Sequence, residues 1–204
     1  QMSTYLLVDC ANTFFRARHV ARHGDLEERV GMAIHVTISA IKKAHKMFDV
    51  DKTIYCLEGR SWRKDYYKQY KLNRTENRAK QTVSEQEEDR AFWQAYDELT
   101  TFVKDKSNAT VVRHENAEAD DLIARWIQTH PQDQHIILSS DSDFKQLLAE
   151  NVTIYNGVAA EVWNLGGVFD DKMKPVIDKK TKEPKKIEDP EWILFEKCIR
   201  GDAT

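Results

Sequence analysis

Two hydrophobic periods alternate along the chain. Tyr5-Leu6-Leu7-Val8 is an unbroken apolar run of strand length that stops at Asp9. Val30, Ile34, Ile38, Ile41, His45 and Phe48 then recur three and four positions apart, which predicts an amphipathic helix. Thr53-Ile54-Tyr55-Cys56-Leu57 predicts a second strand, closed by Glu58-Gly59. Residues 60–80 are polar, basic and aromatic with no clean period. Ser84 followed by Glu87 has capping-box spacing and opens a predicted helix with Phe92, Ala95, Tyr96, Leu99, Phe102 and Val103 on one face.

The alternation continues to the end. Residues 109–113 predict a third strand, and 118–127 a helix with Leu122, Ile123, Trp126 and Ile127 turned inward. Residues 135–140 predict a fourth strand running into Asp141-Ser142-Asp143 and a short helix at 144–148. Final strands are predicted at 152–155 and 161–164, and a last helix at 192–200. Between them, residues 172–186 hold seven lysines with Pro175 and Pro184, read as an exposed loop or hairpin with a solvated face. Strands alternating with helices predict an α/β domain with a mostly parallel sheet flanked by helices. Sites in such sheets form beyond the carboxyl ends of the strands.

That rule selects a set of acids. Asp9 ends the first strand, Glu58 the second, and Asp141 and Asp143 follow the fourth. Glu118, Asp120 and Asp121 open the helix after the third strand, and Asp202 follows the last helix. If the strands are parallel, these carboxylates converge on one edge. Crowded carboxylates repel unless cations neutralise them. Hard divalent ions with oxygen ligands do so, and two of them can activate a water and stabilise the leaving oxygen of a phosphodiester. No His or Cys cluster competes, which disfavours zinc. Singly, each aspartate also reads as a turn residue or helix cap.

Charge changes the picture further. The net charge of −3 argues against nucleic acid, but it conceals a separation: residues 60–80 hold eight basic side chains against two acidic ones. Arg60, Trp62, Arg63, Lys64, Tyr66, Tyr67, Lys68, Tyr70, Lys71 and Arg74 interleave rings with cations, which suits single-stranded nucleic acid. Lys71 and Arg74 are the candidates to offset charge developing on a scissile phosphate. Some of the rings are equally compatible with packing inward.

The three cysteines, Cys10, Cys56 and Cys198, lack a metal-binding spacing, and an odd count argues against a disulfide framework. Two of them read as small buried hydrophobes, and a reducing cytoplasm is the expected home. No apolar stretch has membrane-spanning length and no secretory pattern opens the chain. Gln1 ahead of Met2 reads as a cloning remnant.

Val8-Asp9, Glu58, Tyr70-Lys71-Leu72-Asn73-Arg74, Glu118-Ala119-Asp120-Asp121, Ser140-Asp141-Ser142-Asp143-Phe144 and Gly201-Asp202 together resemble the bacteriophage 5′-nucleases. That group belongs with the flap endonucleases and the 5′-exonuclease domains of bacterial DNA polymerases. The resemblance runs in order along nearly the whole chain. It implies a PIN-like nuclease domain over residues 1–204, with a helical arch at about 60–105 through which a free 5′ strand passes. It also implies that Asp9, Glu58, Glu118 and Asp120 hold a first Mg²⁺, and that Asp121, Asp141, Asp143 and Asp202 serve a second or its shell, with Mn²⁺ able to substitute. Lys71 and Arg74 match basic arch positions.

The implied work is removal of RNA primers and 5′ flaps from DNA during replication, leaving 5′-phosphates and 3′-hydroxyls. A monomer in the cytoplasm of a phage's host, working beside other replication proteins, fits that reading. Glu58 departs from the family, which usually has Asp there. The family's Gly-Asp motif also continues into a helical module that grips duplex DNA, expected to be absent from a chain ending at Thr204. A PIN-like endoribonuclease and a non-catalytic nucleic-acid-binding module are the competing readings.

Overall fold

A seven-stranded mixed sheet organises the chain. The structure, a computed structural model, describes residues 1–59 and 72–200. Strand β1 (Thr4–Asp9) is followed by helices α1 (Cys10–Val20) and α2 (Leu26–Phe48), then β2 (Lys52–Cys56) and α3 (Leu72–Ala79). Next come α4 (Val83–Lys106), β3 (Thr110–Val112), α5 (Ala119–Thr129) and β4 (Gln134–Leu138). A 3-10 turn (Ser142–Leu147), β5 (Val152–Asn156), β6 (Glu161–Asn164), β7 (Gly167–Asp170) and α6 (Pro190–Arg200) follow. Among the described residues no helix is long and apolar enough to cross a membrane.

The strand order is β3-β2-β1-β4-β5-β6-β7. The first five strands run parallel, and β6 and β7 add an antiparallel extension. β1 lies centrally, paired with β2 on one side and β4 on the other. Its apolar run explains that place, because a strand covered on both faces cannot alternate polar with apolar. Leu6 and Val8 face a core shared with Phe14, Ala33, Phe92, Tyr96 and Leu138. Leu7 faces the opposite core, with Ile54, Ile123, Ile137 and Phe144.

Several elements differ from expectation. The segment after Asp9 is a helix, α1, which buries Cys10, Phe14 and Ala17 at successive turns while Arg16, Arg18 and His19 interrupt its apolar pattern. β7 was not expected either; it closes a tight hairpin with β6, and isolated bridges from Phe169 to Pro175 and Ile177 to Pro184 extend pairing into the lysine-rich segment. α4 starts earlier than Ser84. Its capping box is Thr82 with Glu85: Glu85 N donates to Thr82 Oγ1 at 3.3 Å, and Thr82 N donates to Glu85 Oε2 at 2.8 Å. Phe102, expected to face inward, is 61% exposed near the carboxyl end of α4.

α4 is held on the body of the domain. Phe92 is fully buried, and the Arg18 guanidinium lies 4.5 Å from its ring centroid. Arg18 also pairs with Asp89 at 2.6 Å and Glu88 at 3.1 Å, and Arg29 pairs with Glu88. The cap separates the two candidate start sites experimentally. Thr82→Ala is expected to cost about 1 kcal/mol and lower the melting temperature by roughly 2–4 °C in thermal denaturation. Ser84→Ala, at an exposed position inside the helix, is expected to leave it unchanged.

Candidate metal centre

The strand order reverses direction at β1 and β4, and the crevice at their carboxyl ends is where such a sheet leaves room for a ligand. Val8 pairs with Leu138 across that boundary, so Asp9 and Ser139 emerge side by side. Asp9 is only 6% exposed. Ser139 Oγ donates to Asp9 Oδ2 at 3.0 Å, and the Asn12 backbone amide is its second donor. Ser139 Oγ in turn accepts Asp141 N at 3.1 Å. Asn12 Oδ1 accepts both Ser140 N and Ser140 Oγ at 2.9 Å. The first turn of α1 is therefore laced to the loop after β4 through small polar side chains.

Burial pushes the Asp9 carboxyl up to about 7, the Ser139 hydrogen bond opposes the rise, and the charges of Glu58 and Asp141 add to it. The acids around Asp9 make its charge more costly, which is the electrostatic setting a cation relieves.

Glu58 is brought in by backbone contact. Leu57 N donates to Val112 O, and Gly59 N to Ala117 O, each at 3.0 Å. A Cβ at position 59 would lie 1.9 Å from His114 O and 2.8 Å from Ala117 O, so only glycine permits this approach. The loop carrying Glu58 is thereby clamped to the residues just before Glu118, which is 4% exposed and precedes α5 directly.

Asp121 Oδ2 accepts Glu118 N at 3.1 Å, and Asp120 Oδ1 accepts Asp121 N at 2.9 Å. Oxygens of Glu118, Asp120 and Asp121 lie within 4.8 Å of one another. Asp141 caps the 3-10 turn, its Oδ1 accepting Asp143 N at 2.9 Å. Capping and ion binding are compatible roles, because an ionised carboxylate has about four lone-pair sites.

The structure brings several of these carboxylates near one another. Glu118, Asp120 and Asp121 form one tight group. Asp9 has Glu58 and Asp141 in electrostatic reach. Asp143 lies in the first turn of the 3-10 segment that Asp141 caps. Arg74 is an exposed residue of α3. Asp202, Arg60, Trp62, Arg63, Lys64, Tyr66, Tyr67, Lys68, Tyr70 and Lys71 lie outside the described residues. Asn12, Ser139 and Gly59 escaped the sequence reading, although Ser139-Ser140 ahead of Asp141 and Gly59 after Glu58 were visible signals.

All the donors are carboxylate oxygens, two of them deeply buried, which fits a hard divalent cation. Asp9 then predicts a pH effect. Its native value of about 7 exceeds the 3.8 of an unperturbed aspartate, so the folded protein binds more protons than the unfolded chain between those limits. Stability without metal is fully present below pH 4 and is lost as pH rises through 7, by on the order of 4 kcal/mol at most. Urea unfolding in EDTA should show Asp9→Asn more stable than the parent at pH 8 but not at pH 4. Equal stability at both would contradict the buried, acid-surrounded state of this group.

The profile of the family described as "5'-3' exonuclease, N-terminal resolvase-like domain" matches residues 4–180. Ribonuclease H of enterobacteria phage T4 is 31% identical over 130 residues, covering 58% of this chain and 40% of that protein. A bacteriophage T5 5′-exonuclease structure with zinc bound superposes with a TM-score of 0.65 at 24% identity, over 79% of this chain and 58% of the other. A bacteriophage T5 flap endonuclease in a pseudo-enzyme–product complex with DNA and metal ions does so with a TM-score of 0.63, again at 24% identity and over 79% and 58% of the two chains. The chain therefore spans less than two thirds of the length of these relatives. With the profile matching most of its residues, the chain belongs to the 5′-3′ exonuclease family, as its N-terminal, resolvase-like domain.

Proposed function

We propose that this chain is the catalytic domain of a divalent-metal-dependent 5′ nuclease, acting on DNA with a free 5′ end or a 5′ flap. Its further substrates are RNA primers in RNA–DNA hybrids, and its setting is replication in a phage's host cytoplasm, as a monomer beside other replication proteins. The observation that carries the reading is Asp9: a buried carboxylate at the switch point of the sheet, held by Ser139 and Asn12 and faced by Glu58 and Asp141. Membership of the 5′-3′ exonuclease family supports the reaction class.

Asp9, Glu58, Glu118 and Asp120 would hold one Mg²⁺, with Asp121, Asp141, Asp143 and Asp202 serving a second; Mn²⁺ would fit the same oxygen donors. When bound, such ions lower the pKa of a water and stabilise charge on the oxygens of a phosphodiester. The protein's own work is orientation. Ser139 and Asn12 fix the Asp9 carboxylate, and the Asp141 cap fixes its turn, so neither needs to reorganise during reaction. Arg60, Arg63, Lys64 and Lys68 would follow the phosphates of the 5′ strand. Trp62, Tyr66, Tyr67 and Tyr70 would stack on its bases, and Lys71 and Arg74 would offset charge at the scissile phosphate.

The test uses a 3′-labelled duplex with a 5′ overhang. Shortening from the 5′ end should require Mg²⁺ or Mn²⁺, and Asp141→Asn should reduce the rate by at least about 100-fold while melting within a few degrees of the parent. Undiminished cleavage by Asp141→Asn would remove that residue from the site. A metal-dependent preference for an RNA hairpin over tailed DNA would make the protein an endoribonuclease instead.

A further inference from the structure

The pairing registers put Asp9 level with Ser139, Asn156, Glu161 and Asp170 in one row across the sheet. Asp170, at the carboxyl end of β7, therefore stands on the same edge as the acids, four strand spacings from β1. At about 4.8 Å per spacing that is about 19 Å. Here the chain turns: Asp170 Oδ1 accepts Lys172 N and Lys174 N, each at 2.9 Å, and Asp170 N donates to Lys174 O at 2.8 Å. It runs back along β7, with Val176 N donating to Val168 O at 2.9 Å, and turns again at Asp178. Asp178 Oδ1 accepts Lys180 N at 2.7 Å and Thr181 N at 3.0 Å. Each turn is thus closed by an aspartate that spends an oxygen on the backbone. Lys172 and Lys174 occupy the turn level with Asp9, and Lys179, Lys180 and Lys182 the other, about 13 Å of extended chain toward the amino ends of the strands.

Residues 172–186 set seven lysines against two acids, Asp178 and Glu183, and hold no aromatic ring. Lys185 pairs with Glu161 at 3.6 Å; the other six lysines are exposed and make no ion pair among the described residues. The neighbouring Asp171 is already neutralised by Lys43 at 2.7 Å. Lysines on a sheet edge also deter pairing with other chains, but that purpose asks nothing of their level along the strand. Lys172 and Lys174 sit in a fixed turn at the level of the acids, with their charge uncompensated. Lacking rings, this segment has nothing to stack on unpaired bases. Its match is the regular phosphate array of a duplex, in contrast to the ring-bearing residues 60–74.

We propose that Lys172 and Lys174 bind backbone phosphates of duplex DNA whose cleaved end lies, on the nuclease reading, at the Asp9 site. Base pairs rise about 3.4 Å along the duplex axis, so about 19 Å places this contact roughly five or six base pairs from the cut. The contact is independent of sequence. It holds the duplex along the carboxyl edge of the sheet, and the lysines of the second turn stay clear of it.

The experiment measures binding of the whole chain to 5′-tailed, hairpin-closed DNA stems by fluorescence anisotropy in EDTA, over about 50–200 mM NaCl. On a stem of about twelve base pairs, K172Q/K174Q is expected to bind at least about fivefold more weakly at about 0.1 M salt, and to flatten the slope of log affinity against log salt by about 2. K179Q/K180Q removes the same charge at the far turn and should match the parent. On a stem of about four base pairs, too short to reach the first turn, all three proteins should bind alike. An unchanged slope in K172Q/K174Q, an equal loss in K179Q/K180Q, or the same loss on the short stem would each overturn the proposal. Cleavage does not enter this readout. A chain that shows the slope difference but fails to shorten the overhang in Mg²⁺ would refute the nuclease reading and leave the duplex contact standing.

Discussion

A carboxylate at the end of a central, doubly covered strand is the constraint around which this domain is arranged. Leu6, Leu7 and Val8 bring β1 through the middle of the molecule with no exposure above 1%, and the next residue is an acid that is still 6% exposed. Withdrawing an ionised carboxylate from water costs several kcal/mol even after relaxation. Ser139 Oγ and the Asn12 amide return about 1.5–3 kcal/mol each as charge-assisted bonds, while Glu58 and Asp141 act in the opposite direction. The balance without a cation is unfavourable, and the rest of the fold must supply the difference.

It does so by tying the surrounding segments to one another as well as to Asp9. Thr13 Oγ1 donates to Asp9 O at 2.8 Å, Asn12 holds Ser140, and Ser139 holds Asp141. Gly59 lets the loop after β2 meet the backbone before α5. These contacts leave the acids little freedom to spread apart, so repulsion is retained in the folded state. Only burial of the two cores, one on each face of β1, is large enough to oppose it.

Much of this was legible beforehand, and the misses have physical causes. Period and length identified β1, β2, β4 and α2 because tertiary burial and local pattern agree there. α1 was hidden because three buried residues, Cys10, Phe14 and Ala17, are set among Arg16, Arg18 and His19. The start of α4 was misplaced because Thr82 with Glu85 and Ser84 with Glu87 both satisfy the capping pattern, and sequence spacing cannot rank them. β7 starts at Gly167 directly after Gly166, and that glycine pair reads as a turn between elements rather than as the start of a strand. The acids of the site were visible because carboxylates after strands are conspicuous. Their supports stand out less, since Asn12, Ser139 and Gly59 act through local contacts that leave no periodic trace.

The two readings of the aspartates, helix cap and metal ligand, turn out not to compete. Asp141 accepts from Asp143 N, and Asp121 from Glu118 N, so each spends lone-pair capacity on its own loop. A carboxylate fixed in this way has lost the rotational freedom that an ion would otherwise have to remove on binding, and its remaining oxygen valence points in a set direction. The local signal that makes such a residue resemble an ordinary cap is therefore part of what equips it to act as a ligand. A crowded acidic cluster built from caps is stiffer than one built from exposed side chains, and stiffness is what keeps like charges close enough for a divalent cation to bridge.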